Sequence, residues 1–98
     1  MLIFKKPVEF VWDRGNKDKN LVKHRVSNQE CEEAFFDDRK KITKDLRHSK
    51  REKRYILLAK TKKGRLLFIV FTFRNKKIRV ISARDINKKE VHLYEEAA

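Results

Sequence analysis

The chain's 98 residues suffice for one domain, 1–98, built around a single modest core, and are too few for two. Lys and Arg number 27 against 14 Asp and Glu, a net charge of +13, and such a field attracts polyanions, of which nucleic acid is the commonest that a basic domain meets. No stretch reaches the roughly 18 apolar residues of a membrane span, and neither amphipathic segment sets an apolar face against a basic one, so no membrane partner is expected.

Other classes are excluded by single residues. "MLIFKKPVEF" lacks the cation-first order and cleavage site of a signal peptide, which points to a cytoplasmic location. Cys31 stands alone, so no intrachain disulfide can form, and it reads as a small apolar residue on a helix face. His24, His48, His92 and Cys31 match no zinc spacing, and no metal or cofactor is expected.

Along the chain, "PVEFVWD" alternates Val8, Phe10 and Trp12 against Glu9 and Val11, the period of a half-buried strand at a sheet edge, opened by Pro7. "RGNKDKNLVKH" predicts a helix over about 14–24 capped by Asp13 and anchored by Leu21. In "VSNQECEEAFFDD", Ser27 and Glu30 have the spacing of a capping box, Val26 precedes them to staple onto Cys31, and Cys31, Ala34 and Phe35 share a face. From Arg39 to Arg54 the chain is strongly basic, with room for a weak edge strand near 40–46 and a loop beyond it.

Three strands follow: "RYILLAKT", "RLLFIVFTF" and "KIRVISA". Turns at Lys62–Gly64 and around Asn75 make them antiparallel neighbours. The middle one is apolar from Leu66 to Phe73, so both of its faces need cover or one awaits a partner. In the last, alternation sets Ile78, Val80 and Ser82 on one face and Arg79, Ile81 and Ala83 on the other, with Arg84 just past its end. Asn87 and Glu90 repeat the cap spacing and open a helix over about 88–96 with Val91 and Tyr94 on one side. The expected architecture is α+β: a small antiparallel sheet, made of the three-strand meander plus an N-terminal and a weak edge strand, with helices packed mainly on one face.

Phe10, Trp12 and Asp13; Asn20, Lys23 and His24; Phe36 and Asp37; and Arg79 through Arg84 with Glu90 and Tyr94 follow one another in the order found in the BrnT family of bacterial type II toxins, which the sequence resembles over nearly its whole length. It departs where Asn16 takes a place the family usually gives to Lys, and where Arg25 takes one usually given to Gly. The resemblance implies a RelE-like fold and a small ribonuclease that stops growth by cutting RNA. It also implies a BrnA-type antitoxin partner with a ribbon-helix-helix DNA-binding part, a heterotetramer formed through the antitoxin dimer, and contact with DNA only through that antitoxin.

Cutting RNA without metal requires a base for the 2′-hydroxyl, cations for the charge that builds on the phosphate oxygens, and an acid for the leaving 5′-oxygen. Arg79 and Arg84 fit the second need, because a guanidinium fork suits dispersed phosphate charge. His24 is the natural proton carrier and Lys23 adjoins it; on a helix the two point about 100° apart and cannot act side by side. Arg54, Arg74, Arg51 and Lys53 are candidate RNA contacts, and Tyr94 a candidate for stacking on a base. Each has a plainer reading: Lys23 and His24 as cations at a helix C-terminus, the arginines as a solvated ion-paired face, Tyr94 as core. The alternative function is a non-catalytic basic module that binds RNA or an antitoxin.

Overall fold

A computed structural model describes residues 8–47 and 51–96. Strands β1 (Lys41–Lys44), β2 (Tyr55–Lys60), β3 (Leu66–Arg74) and β4 (Lys77–Asp85) form one antiparallel sheet in sequence order. Helices α1 (Lys19–His24), α2 (Asn28–Ala34) and α3 (Lys88–Glu95) flank it. The α+β expectation holds, meander and weak edge strand included, and the arrangement is compatible with a RelE-like fold. Among the described residues no helix is long and apolar enough to cross a membrane. His48 and Pro7 lie outside the described residues.

The turns fix the meander. Gly64 takes φ 90° between β2 and β3, a value Cβ-bearing residues rarely adopt. Between β3 and β4, Asn75 and Lys76 both have positive φ, 51° and 66°, the two-residue geometry whose twist matches that of the flanking strands.

One face of the sheet is apolar. Leu57 and Ala59 of β2 and Leu67, Ile69 and Phe71 of β3 lie fully buried with Val26, Cys31, Ala34 and Phe35 from α2 and its flanks. The Phe35 ring meets Phe10 and Phe71 edge-on, at centroid distances of 5.4 and 4.9 Å. The expected capping box sets the start of α2: the Ser27 hydroxyl accepts from the Glu30 amide at 3.1 Å, and the Glu30 carboxylate accepts from the Ser27 amide at 3.0 Å. Burial, helped by the charges of Glu30 and Glu32, pushes the Cys31 thiol up to about 12, which keeps it an inert neutral thiol.

Two early elements differ from expectation. Residues 8–12 do not form a strand; they contribute a single parallel bridge, Phe10 beside Ile78, in which the Val11 amide donates to the Ile78 carbonyl at 2.8 Å and the Ile78 amide to the Glu9 carbonyl at 2.9 Å. The pairing stops there because the chain turns away at Asp13, which caps no helix. Its carboxylate accepts from the Gly15 amide at 2.9 Å and its carbonyl from the Lys17 amide at 2.7 Å, closing a turn. The predicted helix over 14–24 is correspondingly short: Asp18, at φ 57°, breaks the right-handed run, and α1 begins only at Lys19. Arg25 ends it at φ 55°, a conformation a glycine accepts without strain.

β4 is bulged. Val80 pairs with Phe71 and Ser82 with Val70, so Ile81 is an extra residue. The faces exchange beyond it. Ala83, expected opposite Ile78 and Val80, joins them in the core, and Arg84 emerges on the face from which Arg79 projects. Along the free edge of β4 lies α1, and α3 turns over one end of the face opposite α2.

Candidate active site

The face opposite α2 carries Ile56 and Leu58 from β2, Phe68, Val70 and Thr72 from β3, and Arg79, Ser82 and Arg84 from β4, with Thr72 paired to Arg79, Val70 to Ser82 and Phe68 to Arg84. Its two ends are closed. At one end Thr72 donates its hydroxyl to the Lys53 carbonyl at 2.7 Å, which brings residues 51–54 over the sheet. At the other end lies α3. Half-buried Ile56, Val70 and Ser82 form the floor between.

Arg84 makes a two-pronged bond to Glu90 of α3, at 2.9 and 2.8 Å, while its guanidinium lies 4.0 Å from the centre of the Phe68 ring. Hydrogen bonding to Arg84 holds the Glu90 carboxyl below its ordinary value, and the Arg84 guanidinium is raised in turn. The side chain stays 37% exposed, within reach of a ligand. Arg79 donates to Asp13 at 2.6 Å and is only 12% exposed. That bond, before all other causes, lowers the Asp13 carboxyl. Gly15 leaves room for it, since a Cβ there would come within 2.7 Å of the Arg79 Nη2.

Arg74 is near enough to Asp13 to lower it further and lies 3.6 Å from Glu52, which also neighbours Arg54 at 3.9 Å. Arg54, Arg74 and Arg79 thus gather at one end of the face, interleaved with Asp13 and Glu52. Arg51 and Lys53 lie exposed on the loop beside them. Arg84 stands apart from this group. Thr72 and Phe68, the partners of Arg79 and Arg84, are four residues apart on β3, so the two arginines are rooted about 13 Å from each other.

Lys23 and His24 are exposed at the end of α1, as the helix-terminal reading has it. The His24 charge helps lower Asp85, the last residue of β4, and Asp85 pairs with Leu67 of the α2 face whereas Arg84 projects from the other face. Tyr94 is buried, and its hydroxyl donates to Asp37 at 2.7 Å. Burial first, and then Asp37, pushes the phenol up to about 12. Burial would raise Asp37, but hydrogen bonds from Tyr94 and from the Arg39 and Lys60 amides outweigh it and leave the carboxyl lowered.

Arg65 was not singled out in the sequence. Its guanidinium bonds Asp85 at 2.7 Å, Glu30 at 3.1 Å, and the carbonyls of Arg25 and His24 at 2.7 and 3.3 Å. It ties the end of α1 to the start of α2 and the end of β4, and so fixes where His24 stands. Asp13 and Glu90 were read as capping residues and as part of the family resemblance, with no role at the site; their pairing with Arg79 and Arg84 joins residues of separate elements, which local spacing does not reveal.

A cleft of about 570 Å³ opens elsewhere, lined by Glu32, Glu33, Phe36, Asp37, Asp38 and Lys60 among others. Its carboxylates would repel a phosphate, so the outer face of the sheet is the better candidate for a nucleic acid. Among the described residues no group of His, Cys, Asp and Glu is arranged to hold a metal ion. What the outer face offers is guanidinium donors at both ends of an apolar floor, each engaged with a carboxylate that a phosphate can replace.

Against this geometry, a family model described as the ribonuclease toxin BrnT of type II toxin-antitoxin systems matches residues 12–90. No curated protein matches the chain.

Proposed function

The chain belongs to the BrnT family of ribonuclease toxins of type II toxin-antitoxin systems, and from that premise we propose that it cuts RNA without a metal ion, by attack of a 2′-hydroxyl on the adjacent phosphorus, over the outer face of its sheet. The bond from the 2′-oxygen to phosphorus forms, the bond to the 5′-oxygen breaks, one proton leaves the nucleophile and one reaches the leaving group. DNA lacks that nucleophile and is spared.

The observation that carries this reading is the bulge at Ile81, which turns Arg79 and Arg84 to the same face. Arg84, the more exposed, neutralises the scissile phosphate, and His24, at the same end of β4, carries a proton. Lys23 adds positive charge beside it. Rooted about 13 Å from Arg84, Arg79 meets a neighbouring phosphate rather than the same one, with Arg54, Arg74, Arg51 and Lys53 extending that contact. Tyr94 serves by anchoring α3, and with it Glu90, to Asp37. A BrnA-type ribbon-helix-helix antitoxin silences the toxin in a heterotetramer, in the cytoplasm.

A second reading, a binding module without catalysis, draws on one observation: both arginines already hold carboxylates and His24 does not lie between them. Incubating purified protein with RNA in EDTA separates the two. Cleavage that persists, is suppressed by the antitoxin, and falls about 10²- to 10³-fold in Arg84→Ala supports the ribonuclease. Cleavage that needs added Mg²⁺ overturns the metal-free mechanism, and binding without any cleavage favours the module.

A further inference from the structure

We infer that Asn20, with Asn16 beside it, is a positioning residue that keeps Arg79 and Arg84 on one face of the sheet by holding the backbone of β4 on either side of its bulge. The inference rests on the proposed role of that face.

A bulge on an edge strand is a weak specification of register. Were Ile81 to slip back into the ladder, every residue beyond it would change face, and Arg84 would turn toward the core. The β3 side cannot by itself prevent this, because β3 pairs with β4 in either register. Two side chains act on the free side. Asn16 donates its Nδ2 to the Val80 carbonyl at 3.0 Å and to the Val11 carbonyl at 2.8 Å, and Asn20 accepts from the Ala83 amide on its Oδ1 at 2.9 Å. Val80 and Ala83 bracket the bulge.

Both asparagines are buried, at 1% and 3% exposure. The Asn20 Nδ2 has no hydrogen-bond partner among the described residues, so the side chain's one bond is the one to Ala83. A buried amide that leaves a donor idle in order to place its acceptor is kept for the acceptor. Asn16 has a second connection to the site: its Oδ1 accepts from the amide of Asp13, the residue that holds Arg79, at 2.8 Å.

The test compares Asn20→Leu, which removes the acceptor, with Asn20→Asp, which keeps it and drops the idle donor. Three quantities are read: exchange of the Ala83 amide, the Nε–Hε resonances of Arg79, Arg84 and Arg54, and kcat and KM on an RNA oligonucleotide. In Asn20→Leu the Ala83 amide should exchange about tenfold faster or more, the Arg84 resonance should move while that of Arg54 stays, and kcat should fall about 10²-fold with a smaller change in KM. Asn20→Asp should restore all three to within a few-fold. Ala83 deprotected with the Arg84 resonance unmoved overturns the inference, as does a folded Asn20→Asp no better than Asn20→Leu. If Asn20→Leu does not fold while Asn20→Asp is native-like, the acceptor supports the whole fold and the narrower role is lost. A wild-type protein that cuts no RNA sinks the proposed function, whereas the exchange and resonance measurements still decide whether Asn20 holds the bulge.

Discussion

On the side of the sheet that meets α2, Phe71 is surrounded by rings: Phe35 at 4.9 Å, Tyr55 at 5.5 Å and Phe73 at 5.7 Å between centroids. One residue away, on the other side, Val70 is half-buried over a floor whose rims are guanidinium groups. The first side is completed by residues that close on one another with no charge. The second holds cations on a molecule that already carries +13, and carboxylates reach them from outside the sheet: Asp13 from the N-terminal turn meets Arg79, Glu52 from the loop before β2 is shared by Arg74 and Arg54, and Glu90 from α3 meets Arg84. The difference separates what holds the fold from what the fold holds ready. Burial on one side is cooperative and hard to change, while pairs on the other are local and exchangeable.

The largest effect expected from that contrast comes from two neighbouring truncations. Phe71→Ala should cost about 3–5 kcal/mol, because it empties a ring-lined site and leaves a cavity. Val70→Ala should cost no more than about 1 kcal/mol, since its side chain is already half in water. Urea unfolding with an unchanged m-value measures both. Equal losses would mean the outer face is as much a core as the inner one.

Acid should act on the ion pairs and hydrogen-bonded carboxylates rather than on the core that Phe71→Ala opens. Asp13, Glu30, Asp37, Asp85 and Glu90 are all lowered in the folded chain from ordinary values of 3.8 for Asp and 4.5 for Glu. A carboxyl whose folded pKa is depressed stabilises the fold above its unfolded pKa and loses that contribution as pH falls through the folded one. Thermal unfolding should therefore be level from pH 7 to about 5 and then fall steadily below 4.5. Asp13 and Asp85 are half-exposed or more, so their share is screened, and added salt should shrink it. A midpoint that stays flat to pH 3 would show that these pairs add nothing to the fold.

Much of the buried side was legible in the sequence because its signals are local. The Ser27–Glu30 and Asn87–Glu90 spacings and the turns at Lys62–Gly64 and around Asn75 each involve residues within a few positions of one another. What escaped is non-local. Asp18 and Asp13 both look like helix starters, and which of them ends the turn depends on a φ of 57° that no spacing announces. The bulge reverses the face of everything after Ile81, yet "VISAR" alternates as plausibly as an unbroken strand. Arg65 sits in a polar turn, and its partners are 35 residues before it and 20 after. Arg79 and Arg84 were recognisable as odd residues for a strand; that they stand apart, each with its own carboxylate, was not.

The smallest and sharpest comparison uses the two caps. Ser27 and Asn87 make the same reciprocal bonds to Glu30 and Glu90, and replacing either by Ala should remove about 1 kcal/mol from its own helix. The consequences should differ because the helices are bound differently. α2 places Cys31, Ala34 and then Phe35 in the core, so it cannot loosen without opening that core, and Ser27→Ala should lower the global unfolding free energy by nearly the whole amount. α3 buries only Tyr94 and is otherwise held by Glu90 on Arg84 and Tyr94 on Asp37. Asn87→Ala should therefore let its first turn open on its own, giving faster amide exchange there with a urea midpoint shifted much less than in Ser27→Ala. Because Glu90 sits in that turn, opening it also frees Arg84, and the same variant should bind RNA slightly more tightly at low salt. If α3 instead opens only with global unfolding, the outer face is fastened as firmly as the inner one, and Arg84 is not readily exchanged between a carboxylate and a phosphate.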